Sequence, residues 1–113
     1  MESTEWGDLD YLFIDMPPGT GDAYITVAQD LKPDHAILVT TESSLAIHDT
    51  IKSKAVFTKL NIPIAGYIHN MSSLICLHCS KPLEQEQSLS ALSPLEGLDL
   101  THLGSIPRSD DLL

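Results

Sequence analysis

Two groups of residues in this sequence have types and spacings that could do chemistry. The first is Asp15 together with the proline- and glycine-rich loop that follows it and ends at Asp22. An aspartate at the end of a buried strand can hold a hydrated Mg²⁺ ion, and glycines let backbone amides approach a phosphate closely. Residues 15–22 therefore predict a phosphate site, in which any phosphate contact comes from backbone amides because the loop contains no lysine or arginine.

The second group is the pair of cysteines, Cys76 and Cys79, which are the only two in the chain. This spacing in a chain without a secretory signal favours a metal, cluster or redox role over a structural disulfide. Two thiolates are half of a four-ligand site, and an intrachain zinc site would have to add His78 and His102. A symmetric second copy would complete the half-site more simply. Zinc binding, thiol redox chemistry and inert thiols are the alternatives.

The elements that must position these groups follow from the apolar pattern. Leu9 and Tyr11–Ile14 are apolar or aromatic on both faces, which predicts a buried parallel strand over 9–14 with Asp15 at its carboxyl end, the edge where open α/β sheets bind ligands. Further strands are predicted at 35–41, 64–70 and 100–106, and helices at 22–29, 42–60 and 84–92. The alternation of strands and helices indicates an α/β fold with a mostly parallel sheet and crossover helices.

Charge and hydropathy exclude several classes of function. The formal net charge is −10, with six lysines and arginines against 16 aspartates and glutamates. Nucleic acids and anionic membranes are bound through basic patches, so we expect neither as a partner. No apolar run approaches the ~18 residues of a membrane span, and the first residues lack a secretory signal. These features predict a cytoplasmic protein.

Four segments, in order, carry a family resemblance: WGDLDYLFIDMPPGTGD, VTTESSLAIHD, GYIHNMS and CLHC. Together they resemble the Mrp/ApbC (NUBPL-like) family of P-loop ATPases, which are iron–sulfur cluster carriers within the MinD/ParA-like group. The match runs from Trp6 to about Cys79 and returns at residues 103–107. The resemblance implies a truncated P-loop NTPase domain and a role as an ATP-dependent iron–sulfur cluster carrier or assembly protein.

The resemblance also implies roles for residues at a nucleotide site. Asp15 matches the Walker B aspartate, which acts on Mg²⁺ through water, and Asp49 matches a helix aspartate that couples nucleotide to the dimer. The loop that matches switch II, which senses the γ-phosphate, consists of Pro18, Gly19, Thr20, Gly21 and Asp22.

Further along the chain, the resemblance implies contacts to the base and to the cluster. Asn70 matches the asparagine that recognises the adenine edge, with the backbone around Pro107 closing over the base. Cys76 and Cys79 match the pair that bridges a [4Fe–4S] cluster with the same pair from a second subunit. The implied partners are a second copy or a related ATPase, and the recipient iron–sulfur apoproteins.

The sequence departs from the family in one large respect, because it contains no GKGGVGKS-type Walker A loop. We expect residues 1–113 to form a single partial domain, the Walker B half, in which 71–99 are a cysteine loop and an irregular segment. Mg-ATP is then a ligand of complete family members, and these residues alone are not expected to hydrolyse ATP. The alternatives are a nucleotide-free metal-binding or scaffold module, or an inactive fragment. A missing first strand also predicts an exposed sheet edge and self-association.

Overall fold

Three parallel strands form the centre of the fold. A computed structural model of the chain describes residues 4–17, 19, 21–83 and 93–108. The elements are, in chain order, α1 (Asp22–Leu31), β1 (Ala36–Thr40), α2 (Ser44–Lys59), β2 (Ile64–Ile75), β3 (Pro82–Leu83), α3 (Ser93–Glu96) and β4 (His102–Arg108). No helix in these described ranges is long and apolar enough to cross a membrane.

The central strand of the sheet is β2, which has a parallel neighbour on either side. Its first half pairs with β1, with Thr40 beside His69, and with β4, with Tyr67 beside His102. Its last two residues pair with β3 in an antiparallel hairpin. The predicted α/β class with a mostly parallel sheet and crossover helices is confirmed.

The ends of the helices are set by their cap residues and by local backbone conformation. The N-cap of α1 is Gly21 in extended conformation, and Asp22 is the first residue of the helix. The helix ends at Lys32, whose left-handed backbone (φ 44°) lets its N–H bond to the carbonyl of Ala28, and Pro33 follows. After α2 the chain turns at Asn61, also left-handed, before β2 begins.

One core joins the helices to one face of the sheet. The rings of Tyr24 on α1 and Phe57 on α2 lie 5.6 Å apart. Leu95 on α3 is fully buried, and Lys54 on α2 donates to the carbonyl oxygen of Leu98 at 2.6 Å, which ties the segment after α3 to α2. The buried apolar members are Tyr24, Ala28, Ala36, Leu38, Ile47, Phe57, Ile62, Tyr67 and Leu95.

The opposite face of the sheet is apolar and exposed. Along β1 the buried residues alternate with exposed Ile37 and Val39, and Val39 is 60% exposed. Leu103 and Ile106 on β4 are also exposed. Parallel sheets are normally covered on both faces, whereas the helices in the described residues pack into a core on one face alone.

Residues 9–14 do not form the predicted strand. They have no regular secondary structure, and Tyr11 and Phe13 are 82% and 85% exposed. The prediction is therefore wrong, as is the placement of Asp15 at the end of a strand. The physical reason is pairing: a strand needs a neighbour to take its backbone hydrogen bonds, and among the described residues the sheet pairs β1 only with β2.

Other boundaries differ by a few residues. The third predicted strand, 64–70, continues to Ile75, so the segment expected to be a loop from residue 71 begins as strand. The last strand is His102–Arg108 rather than 100–106. The helix expected at 84–92 lies outside the described residues.

Candidate functional site

The carboxyl edge of the parallel strands brings together two of the predicted site residues. Asn70 on β2 lies beside Ile106 on β4, so Pro107 is one position further along the neighbouring strand. Both residues are half-buried. The two predicted residues therefore lie close together on neighbouring strands, at the edge where parallel sheets bind ligands.

The backbone at this edge is irregular at Met71. Four steps along β2, from Asn70 to Leu74, oppose two steps along β4, from Ile106 to Arg108, so β2 bulges here. Met71 has φ 54°, and its N–H donates to the side-chain oxygen of Asn70 at 3.0 Å. Bulges and left-handed non-glycine residues cluster at functional sites, where they re-aim a side chain. This bond occupies the side-chain oxygen of Asn70, whose amide nitrogen is a hydrogen-bond donor.

Asp15 and the loop after it lie on the exposed approach to α1. Asp15 and Gly19 are exposed, and Gly19 has φ 91°, a conformation that glycine adopts without strain. Gly21 and Asp22 begin α1, whereas Pro18 and Thr20 lie outside the described residues. Asp49 is exposed on α2. The structure does not join Asp15 or Asp49 to the Asn70 edge through a hydrogen bond or ion pair between described residues.

A buried ionisable pair lies at the same edge and was not among the predicted site residues. His69 on β2 is buried, and its Nε2 lies 3.5 Å from a carboxylate oxygen of Glu42, in the connection from β1 to α2. Burial lowers the pKa of His69 below its ordinary value of 6.5; the charge of Glu42 opposes this effect and that of His102 adds to it. No motif in the sequence points to this pair, because the two residues meet only through the pairing of β1 with β2.

The cysteines lie at the tip of the hairpin between β2 and β3. The turn is closed by two backbone bonds, from Cys76 N–H to the Lys81 carbonyl (3.0 Å) and from Ser80 N–H to the Cys76 carbonyl (2.9 Å). Cys76 is half-buried and Cys79 exposed, and both are free thiols. Backbone N–H groups of Cys79 and then His78, followed by the Cys79 side chain, hold the pKa of Cys76 below its ordinary value.

This turn is suited to soft metal ions and sulfide clusters. Amide hydrogens directed at a sulfur stabilise its thiolate, which is the form that binds metal. No group of three or more potential metal ligands occurs among the described residues, so this part of the structure does not bring His78 and His102 together with the two cysteines. His102 lies beside Tyr67, which is nine positions before Cys76 in the chain.

Comparison with known proteins assigns the family. The family described as ParA: NUBPL iron-transfer P-loop NTPase matches residues 1–113. An Arabidopsis thaliana protein named as an iron–sulfur protein required for NADH dehydrogenase, mitochondrial, is 39% identical over 108 residues, which are 94% of this chain and 34% of that protein. An iron–sulfur cluster carrier protein from Helicobacter pylori is 45% identical over 102 residues, 90% of this chain and 28% of that protein.

A solved structure agrees with these relatives. The nucleotide-binding protein from Archaeoglobus fulgidus, in complex with ADP, superposes with a TM-score of 0.79 at 34% identity, and the match covers 95% of this chain and 44% of that one. The chain spans about a third of the length of the two named relatives. The resemblance carried by the four sequence segments is thus confirmed, and the chain belongs to the ParA/NUBPL family of iron-transfer P-loop NTPases.

Proposed function

We propose that this chain carries the cysteine-bearing part of an ATP-dependent iron–sulfur cluster carrier. In this proposal Cys76 and Cys79 supply two thiolates, and the same pair from a second subunit supplies two more to a bridging [4Fe–4S] cluster, which is the cargo. The observation that supports it best is the hairpin turn, where two accessible thiols lie three positions apart and backbone amides favour the Cys76 thiolate. Recipient apoproteins would then take the cluster from the exposed tip.

The proposal is tested by anaerobic reconstitution with ferrous iron and sulfide. We expect a broad absorption near ~400 nm, about four irons per two chains, and an increase in the dimer fraction in sedimentation when the cluster is present. The C76S/C79S double variant should lose all three. The matched control is H78A, which alters the same turn but keeps both thiols and should retain the cluster. Zinc alone bound at the cysteines, or iron retained by the double variant, would overturn the proposal.

The proposed nucleotide site uses residues other than the two cysteines. Asp15, Gly19, Gly21 and Asp22 would face Mg²⁺ and phosphates, with Pro18 and Thr20 in the same loop, and Asn70 and Pro107 would face the base. Asp49 would couple the nucleotide to the dimer. The phosphate-binding lysine loop of P-loop ATPases is not in these 113 residues, so ATP hydrolysis requires one from outside them.

A second candidate function is a nucleotide-free metal-binding module. It is favoured by the exposure of Asp15 and by the position of residues 9–14 outside the sheet. Calorimetric titration with Mg-ATP tests whether these residues bind nucleotide by themselves. Under the second candidate the 113-residue chain reconstitutes a cluster and releases no heat with ATP, whereas tight Mg-ATP binding that is lost in D15N would support a nucleotide site in this chain alone.

A further inference from the structure

The Glu42–His69 pair has the geometry of an incomplete ion pair. The His69 side chain is 5% exposed, and its Nε2 makes no hydrogen bond within the described residues. The nearest oxygen of Glu42 is 3.5 Å away, beyond the usual 2.7–2.9 Å of a charge-assisted bond. A buried polar atom without a partner is costly, so the contact should close further when Nε2 carries a proton.

The surroundings of His69 place it between opposing charges. Glu42 comes from the connection between β1 and α2, and its carboxylate attracts a proton to the imidazole. His102 comes from β4 and repels it when charged. The His102 ring stacks on Tyr67 with the ring centroids 5.1 Å apart and bonds Ser105 at 3.0 Å, which holds it at this position beside β2.

We propose that Glu42 and His69 form a proton-dependent clamp that fastens the start of α2 to β2 beside Asn70. When His69 takes up a proton from solvent, its Nε2–H donates to the Glu42 carboxylate, which stays ionised. When His69 is neutral with its hydrogen on Nδ1, Nε2 has no hydrogen to donate, so the pair keeps its longer contact and the connection is held less firmly. The clamp concerns the chain without nucleotide or cluster, so its test is independent of the proposed function.

The position of Glu42 explains what the clamp would move. Ser43, the next residue, is the N-cap of α2, and its N–H bonds the side-chain oxygen of Thr41 at 3.3 Å. His69 directly precedes Asn70 and lies beside Thr40. Closing the clamp therefore pulls the first turn of α2 toward the strand that carries the candidate base contact.

The experiment is an NMR titration of the ¹⁵N-labelled chain from pH 8 to pH 4.5, following the imidazoles of its five histidines. The His69 midpoint should lie below 6.5, and the amides of Thr41, Glu42, Ser43 and Asn70 should shift with that same midpoint. In E42Q the His69 midpoint should fall further because the attracting charge is lost. In H102N it should rise, because the repelling charge is lost.

The matched control is E96Q, which removes an exposed carboxylate that acts on Tyr67 and should leave the His69 midpoint unchanged. H69Q should abolish the shared inflection of the four amides; if H69Q does not fold, E42Q still decides the question. An E42Q midpoint equal to that of the parent chain would overturn the clamp. Amides at 41–43 that do not follow His69 would overturn it as well.

Discussion

Cys76 and Cys79 differ in what surrounds their sulfur atoms. Backbone amides and the Cys79 side chain lower the pKa of Cys76, whereas Cys79 is the more exposed residue. Stabilisation of the thiolate therefore favours reaction at Cys76, whereas access to solvent favours reaction at Cys79. Thiolates are the reactive form, so the two effects can be separated by chemistry at controlled pH.

We predict that Cys76 reacts faster than Cys79 with iodoacetamide at pH 7, by several-fold. A lowered pKa means that the thiolate is already present at a pH where an ordinary thiol is protonated, so the rate profile of Cys76 should rise at lower pH. The rates are measured by mass spectrometry on C79S, which retains Cys76, and on C76S, which retains Cys79. Equal rates across the pH range would show that the amide donors do not act on Cys76.

At the scale of elements, the close pairing of β2 with β4 depends on Gly66. Its backbone has φ 156°, and a Cβ built there would clash with the carbonyl oxygen of Thr101 and come within 2.7 Å of Leu103 Cγ. The same carbonyl accepts the N–H of Tyr67 at 2.9 Å, so it has little freedom to move. Glycine at this position is what lets β4 approach β2.

We predict that G66A lowers the free energy of unfolding by about 1–3 kcal/mol, the usual cost of inserting a methyl group into tight packing. Urea unfolding followed by circular dichroism measures the change. The control is G104A on β4, where a built Cβ meets nothing within 4 Å. Similar losses of unfolding free energy in G66A and G104A would mean that a side chain at position 66 fits between β2 and β4.

Elements with local signals were predicted well from the sequence, and those that depend on distant partners were not. The apolar spacing and the turn residues around Pro33 and Pro63 placed α1, β1, α2 and the start of β2. Residues 9–14, apart from Asp10, are equally apolar. An apolar pattern predicts burial, but it does not show whether a neighbouring strand is available for pairing. The extension of β2 to Ile75 arises from pairing with β3 across the turn.

The candidate site was predictable where a motif names a residue and not where the fold creates a contact. Asn70 and Pro107 came from the family resemblance, whereas the cysteines were singled out by their spacing before the resemblance added the cluster, and all these roles remain proposals. The pairing of Glu42 with His69 depends on strand register, since Thr40 lies beside His69. The two residues are 27 positions apart in the chain, and no pattern in the sequence indicates that they meet.

At the scale of the whole molecule, the exposed sheet face and the β1 edge form one continuous apolar surface. Ile37 and Val39 lie at this edge, and Ile106 lies on the same face two strands away. Edge strands recruit other strands, although the net charge of −10 opposes the approach of a second copy. Self-association should therefore increase with salt, which screens that repulsion.

We predict that V39K weakens self-association about tenfold, because the loss of one buried apolar side chain is worth roughly 1.5 kcal/mol. Sedimentation velocity over a range of concentrations and salt measures it. L45K is the matched control, since Leu45 is 69% exposed but lies on α2. A parent chain that stays monomeric at every concentration and salt would contradict the prediction.

The length of β2 has a mechanical consequence. Strand β2 carries Asn70, and the hairpin turn that directly follows β2 carries Cys76, six positions further along the chain, with the bulge at Met71 between them. A change of backbone conformation at the bulge would therefore shift the hairpin turn relative to Asn70. Strand β2 thus forms a direct covalent path from the candidate base contact to the two thiols, and the most irregular point of that path is Met71.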